Sequence, residues 1–543
     1  MIAKRHKQAV SLILLLLMFL ICLLNGCSKK DMNNTLSDEV NFIPGWQKHA
    51  DDKVTLDWYI NFSWFTTQWG NNVVSKKITE DTGININFIS PMGNEHEKLN
   101  ALISSGTLPD IITLGWWENQ VDFMIMNDMV YALNELADKY DPYFWQVADS
   151  SVVDWYTKED GNLYCYPNTT YLPEDYEEHD NIGSNQTFLV RKDIYEAIGK
   201  PDMTTPEGFK AAVKKAVEMF PEIDGEPIIP IGTHEFTEQG CDSLDLFLQN
   251  FLAIPYEKDG VYYDRFTDPE YIRWLKVFRE LCEEGYLADD IFVDQRIQME
   301  EKLAKGRYFC MIYQRTDMED QQKILYSKNP ESIYIAVDGP KNSNGDDHVL
   351  PGVGINGWTV TLISKNCERP DRAIQLFSYL MSEYGQKITY LGVEGVTYDM
   401  IDGKTVIKEE VKKLLINNRK KYDEIYGADN TYWMFQDLVM QLQWLQDLDE
   451  PTRQLEEWTY PYTHYLGQYE INFDANSEAG YIEKNIKKLW GETLPKLLLA
   501  PSEKEFDRIL EGFVKKREKL GFDIYIEKCT EYMNETKKKI GIE

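Results

Sequence analysis

The groups in this chain able to bind a metal, attack a carbonyl or move a proton are seven His, eight Cys and 90 acidic residues. The histidines stand at His6, His49, His96, His179, His234, His348 and His464, with neither HExxH nor any paired ligand spacing, so catalytic zinc is not expected. No CxxC occurs, which argues against a zinc knuckle or redox pair, and no GxSxG elbow occurs. Gly352-Val-Gly354-Ile-Asn-Gly357 fits GxGxxG. A dinucleotide turn needs a strand before it and a helix after it. Here a polar loop precedes and a strand-like run follows, so turn glycines are expected. Gly403-Lys404-Thr405 ends like a P-loop, but Tyr398 occupies the position of the required first glycine. The Asn342–His348 loop carries Asp346 and Asp347 without the EF-hand spacing, and a solvated turn is the expectation there. Acidic residues are too numerous for a glycosidase pair to stand out. No catalytic residue, cofactor or resident metal is expected.

The informative residues are aromatic. The chain holds 33 Tyr, 23 Phe and 14 Trp, 13% of the total, and several of them follow runs that read as strands. Phe62, Trp64 and Phe65 follow Val54–Ile60; Trp116, Trp117 and Glu118 follow Ile111–Leu114; Tyr313 and Arg315 close the run from Tyr308; Trp358 opens the run to Ile363. Ligands gather beyond the carboxyl ends of strands in open α/β sheets. Flat rings beside carboxylates and guanidinium suit a sugar, the rings covering C–H faces and the polar groups taking hydroxyls. Trp64, Phe65, Trp116, Trp117, Glu118, Tyr313, Arg315 and Trp358 are therefore the candidate ligand-binding residues. The competing expectation for each ring is core packing.

Alternating elements must position these residues. Val54–Ile60 and Ile84–Ile89 alternate apolar and polar, with a helical pattern over Val73–Thr82 between them. Leu99, Leu102 and Ile103 mark a second helix before Ile111–Leu114, and this β-α-β-α-β order argues a parallel α/β sheet. A second series follows: a strand at Thr187–Val190, a helix capped by Thr205 with Pro206 at its first position, a helix over Asp268–Glu284, and strands at Tyr308–Tyr313 and Ile333–Val337. After the strand at Trp358–Ile363 comes a helix carrying Ala373, Ile374, Phe377, Leu380 and Met381 on one face. From 405 onward the pattern is mostly helical. Cys310 and Cys282 read as buried thiols.

The compartment is written in the first thirty residues. Lys4, Arg5, His6 and Lys7 precede an apolar run from Ala9 to Leu24, then Leu24-Asn25-Gly26-Cys27. This is a secretory signal, and its end resembles a bacterial lipobox, which implies lipidation of Cys27 and palmitate there. Removing residues 1–26 from 543 leaves 517, and losing Lys4, Arg5 and Lys7 takes the net charge from -33 to -36. Such an acidic surface disfavours nucleic acid and anionic lipid. Residues 27–53 read as a polar tether.

Ordered segments then match a known family. They are Ser104-Ser-Gly-Thr-Leu-Pro-Asp110, Asp160-Gly-Asn-Leu-Tyr-Cys-Tyr-Pro167, Val190-Arg191-Lys-Asp193, Thr204-Thr-Pro-Glu-Gly-Phe209, Leu281-Cys-Glu-Glu-Gly285, Ser364-Lys-Asn-Cys-Glu-Arg-Pro370 and Gly392-Val-Glu394-Gly-Val-Thr-Tyr398. Their order behind a lipobox resembles the family 1 extracellular solute-binding lipoproteins of bacterial carbohydrate-type ABC importers. The stretches 168–186 and 425–470 depart from it. The resemblance implies a periplasmic-binding-protein type II fold, two α/β lobes joined by crossing hinge segments. Lobe one would hold 54–165 and 350–395. After a crossover at 166–184, lobe two would hold 185–345 and a helical remainder at 396–543. It further implies a monomer, lipid-anchored on the extracellular face of the membrane, that captures a carbohydrate and hands it to permease subunits. The alternatives are a receptor for a peptide or other polar solute, a surface glycosidase or polysaccharide lyase, and a sensory lipoprotein without transport.

Overall fold

The computed structural model describes residues 43–444 and 450–542. The expected signal peptide and the lipidation of Cys27 lie outside the described residues. The compact body begins at Pro44, so the tether ends sooner than expected. Gly45–Lys48 form a helical turn held by Gly45 N donating to Asp141 Oδ1 at 3.0 Å, with Trp46 edge-on to Tyr379 at 5.0 Å.

Nine strands build two sheets. In the first, β1 (Val54–Ile60), β2 (Ile84–Ile89), β3 (Ile111–Gly115), β4 (Tyr166–Pro167) and β9 (Thr359–Ile363) run in the order β2-β1-β3-β9-β4. β1 is parallel to β2 and β3, while β9 is antiparallel to both its neighbours. In the second, β5 (Gln186–Arg191), β6 (Ile229–Gly232), β7 (Tyr308–Gln314) and β8 (Tyr334–Ala336) run β8-β5-β7-β6, with only β7 and β6 parallel.

Strand alternation sends side chains to opposite faces, and both faces of each sheet are covered. Leu56, Trp58 and Ile60 of β1 join one core with Ile374 and Phe377 of the helix Pro370–Met381. Tyr59, Ile112, Leu114 and Leu362 join another with Leu99 and Met124. In the second sheet Phe188, Val190, Cys310 and Ile312 pack against Phe209, Phe278 and Trp490, and Leu189, Met311 and Tyr334 face the other way. Cys310 is buried as expected and Cys282 half-buried. Local signals set the helix ends. Asn72 Oδ1 accepts from Ser75 N at 2.8 Å to start Val73–Thr82, and Thr205 Oγ1 accepts from Gly208 N at 3.1 Å to start Pro206–Met219. Not all of 396–543 packs as the sequence suggests. Val411, Tyr422, Ala428, Met434 and Phe435 join the first sheet's core rather than the second's, with Phe435 packing on Trp58 and Phe377 there.

Two connections between strands cross from one sheet to the other, and the chain crosses again between Phe435 of the first core and Leu455 of the second. β4 is antiparallel to β9, hence parallel to β3, and its carboxyl end leads through 168–185 into β5, which is antiparallel to β7. β8 leads back through 337–358 into β9. Each crossover therefore leaves one sheet and enters the other at the end where the parallel strands finish. The carboxyl ends of both sheets lie on the side that the crossovers span, where a ligand is expected in an open α/β sheet.

Candidate ligand-binding site

On the first sheet the segment after β1 builds an aromatic platform. Trp64 lies parallel to Trp358 (6.1 Å between centroids, 15°) and to Phe62 (5.5 Å, 26°), while Trp433 leans against both Trp64 (5.4 Å) and Trp358 (5.1 Å). Trp64 is 47% exposed, so one indole face rests on the platform and much of the rest is open. Phe65, expected to face a ligand, is only 3% exposed; it packs edge-on to Phe88 at 5.1 Å and serves as a support. Trp433 carried no signal in the sequence, since it follows no strand and lies in a stretch that departs from the family pattern.

Asn168 locks this platform. Its Oδ1 accepts from Trp358 N at 3.2 Å and Thr359 N at 2.6 Å, and its Nδ2 donates to Trp433 O. One buried amide thus fixes two rings that lie far apart in the chain. The GxGxxG run lies beside it and does the work of close packing. A Cβ on Gly357 (φ +66°) would sit 1.9 Å from Asn168 O, and one on Gly352 would sit 1.8 Å from Tyr176 Oη. Gly357 lets its backbone meet the backbone of Asn168, and Gly352 lets its backbone meet the side chain of Tyr176.

After β3, Trp117 is 46% exposed and its ring covers Gly115, with Trp116 half-buried and edge-on to it at 6.1 Å. Trp116 N donates to Trp358 O at 3.4 Å, which ties this pair to the platform. Glu118 Oε1 accepts from Gly115 N at 2.9 Å and Oε2 from Asn61 Nδ2 at 2.7 Å; Tyr59 Oη donates to Asn61 Oδ1 at 3.0 Å. Burial pushes the Glu118 carboxyl up to about 7 against these hydrogen bonds, with Glu95 nearby adding to the rise. Glu95 Oε1 itself accepts from Ser63 N at 2.6 Å.

The second sheet contributes a polar wall. Tyr313, expected to offer a ring face, is 1% exposed and stacks on His234 at 4.3 Å. Ser243 Oγ spends its one proton on Ile312 O at 2.6 Å, so His234 Nδ1, 2.8 Å from the same oxygen, must donate to it. That leaves Nε2 as an acceptor. Burial, helped by Arg296, holds the ring's pKa down to about 3, so it stays neutral. Arg296 pairs with Glu300 at 2.7 Å and Asp317 at 3.2 Å. Arg315, expected to take hydroxyls, is already committed: Nε donates to Ser184 O at 2.8 Å and Nη1 to Glu456 Oε2 at 2.7 Å. It staples the first crossover to the helix Glu450–Glu457.

The structure thus brings Trp64, Trp358, Trp116, Trp117 and Glu118 together at the ends of β1, β3 and β9. Phe65 supports them from below, and Tyr313 and Arg315 lie in the second sheet's framework. A further hollow of about 480 Å³ sits on the crossing segments, lined by Tyr176, His179, Asp180, Tyr460, His464 and Tyr465 among others. Among the described residues no three His, Cys, Asp or Glu gather as a metal site. In the 342–348 loop Lys341 Nζ takes Asp347 at 3.2 Å, and Asn342 Oδ1 accepts from Asn344 N and Asp346 N at 3.1 Å each.

No family model matches the chain. The polygalacturonan/rhamnogalacturonan-binding protein YtcQ of Bacillus subtilis (strain 168) is 21% identical over 384 residues, 67% of this chain and 72% of that protein. Among solved structures, the alginate-binding protein AlgQ2 superposes with a TM-score of 0.65 at 18% identity, over 89% of this chain and 99% of its own. The Streptococcus pneumoniae ABC-transporter substrate-binding protein FusA, solved with kestose, gives 0.63 at 17% identity with the same coverage. The chain has a periplasmic-binding-protein type II fold. This is the fold class that the sequence implied. Among the described residues no helix is long and apolar enough to cross a membrane.

Proposed function

We propose that this chain is a receptor that captures a carbohydrate, in particular an oligosaccharide, between two lobes and delivers it to the permease of an ABC importer. The observation that carries this reading is the platform of Trp64, Trp358 and Trp433 at the carboxyl ends of the first sheet, with the half-exposed Trp117 and the acceptor Glu118 beside it. An exposed indole face covers the C–H face of a sugar ring, and carboxylate and amide groups take its hydroxyls. Lobe one would comprise the first sheet with its helices and lobe two the second, hinged at 168–185 and 337–358. Ligand stabilises the closed state because only that state touches it from both sides. Transport requires release, which suits a Kd near a micromolar, about -8 kcal/mol.

The receptor would be held at the extracellular face of the membrane by lipid on Cys27 and would act as a monomer without enzymatic turnover. Sugar binding in the relatives named above supports the reading. Isothermal titration against a panel of oligosaccharides tests it: one sugar should bind at micromolar level or better, and a chromogenic glycoside should not be hydrolysed. Tight binding of a peptide with no response to any sugar would sink it.

A further inference from the structure

We infer that this cleft selects uncharged oligosaccharides and rejects chains of uronic acids, an inference that rests on the carbohydrate reading. The charges at the two sets of strand ends carry it. The segments nearest the aromatic platform, 61–72 and 352–358, contain no charged residue at all. Next to them stand Glu95 and Glu118. Beyond the carboxyl ends of β6 and β7 stand Glu235 and Asp317, and Glu300 joins Asp317 through Arg296 at 2.7 and 3.2 Å. Two arginines accompany them, and both are already paired. Arg296 holds Glu300 and Asp317, and Arg315 holds Glu456 and a backbone carbonyl.

A uronate is recognised by a guanidinium or ammonium group that can fork onto its carboxylate. Here an incoming carboxylate would have to displace a carboxylate already in place and would leave that partner unpaired. The remaining polar groups point the same way. Glu118 is engaged by Gly115 N and Asn61 Nδ2, and His234 offers only the lone pair of Nε2. That lone pair suits a hydroxyl, which can donate, and cannot serve a carboxylate, which cannot. YtcQ and AlgQ2 are named for acidic polysaccharides; the charge around this cleft departs from what such ligands need.

The test is isothermal titration of the full-length protein in EDTA at low salt. The probes are neutral tetramers of glucose, mannose, xylose, galactose and fructose, with tetragalacturonate and tetramannuronate beside them. At least one neutral tetramer should bind about 30-fold or more tighter than either uronate tetramer. A uronate tetramer that binds as tightly as every neutral one overturns this inference and leaves the carbohydrate reading standing. Failure of both classes to bind brings down the carbohydrate reading, and the inference with it. The double variant Glu95→Gln, Glu235→Gln should gain about fivefold or more in tetragalacturonate affinity at low salt. No gain overturns the assignment of the exclusion to these carboxylates.

Discussion

Replacing Trp64 by Ala tests the platform directly. A tryptophan side chain offers about 200 Å² of burial. With 47% of Trp64 still exposed, about 90 Å² is left for a sugar face to cover. At about 25 cal/mol per Å² that contact contributes about 2 kcal/mol, or about a 30-fold increase in Kd when it is lost. Stability should change less, about 1 kcal/mol, because Trp64 is the outermost ring of the stack and Phe62, Trp358 and Trp433 still pack beneath it. Trp64→Phe should recover more than half of the loss by keeping a flat face. The assay is isothermal titration with the best-binding oligosaccharide, paired with a urea melt of each variant. A Kd for Trp64→Ala within threefold of wild type, with the fold intact, would refute the idea that the exposed indole face is a contact surface.

Four further outcomes are expected. Tyr313→Phe should leave Kd within twofold of wild type, since its ring is buried against His234; titration checks this, and a larger change would mean that the hydroxyl reaches the ligand. Arg315→Ala should destabilise by about 1–3 kcal/mol by leaving Glu456 and the Ser184 carbonyl unpaired, read as a lower urea midpoint. Asn168→Ala should cost about 2–4 kcal/mol and also weaken sugar binding, because three backbone groups lose their partner and two platform rings lose their anchor. Stability should fall as pH rises from 5 to 8. Burial lifts Glu118, Asp245 and Glu470 to about 7, so the folded chain holds protons that the unfolded chain gives up above about 4. Their contribution is complete below the unfolded value and lost as pH passes about 7; Glu118→Gln should flatten that slope in melts across the range.

The parts of the fold set by local rules were legible in the sequence. β1, β2 and the helix Val73–Thr82 occupy the residues that alternation and periodicity mark out. β6 was not legible because Pro230 interrupts it, and a proline is tolerated there only because β6 is an edge strand bonded on one side. Strand-end reasoning places Trp64, Trp117 and Trp358 at the ends of β1, β3 and β9, where the structure has them, because their positions follow from the strands before or after them. It could not find Asn168, which grips a carbonyl 265 positions away, nor see that Arg315 would meet Glu456, 141 positions on. Burial divides the candidates: Phe65 and Tyr313 lie at strand ends as Trp64 and Trp117 do, yet the first two are buried and the last two half-exposed, and packing rather than position makes the difference.

The strand order carries a consequence for how the chain acquires its shape. β9 is the partner of β3, and the first core also needs the helix Pro370–Met381 and residues to Phe435. The second core, although its strands all lie between 186 and 336, is closed by Trp490, Leu494, Phe506 and Phe513. A chain emerging from its N-terminus therefore completes its first core only once Phe435 has followed, and its second only once Phe513 has. Long-range closure of this kind is slow to nucleate and leaves strand edges open meanwhile. Such a polypeptide stays open to unfolding and to proteases for most of its synthesis. Pulse proteolysis of chains stopped before Pro370 should find both halves cleavable.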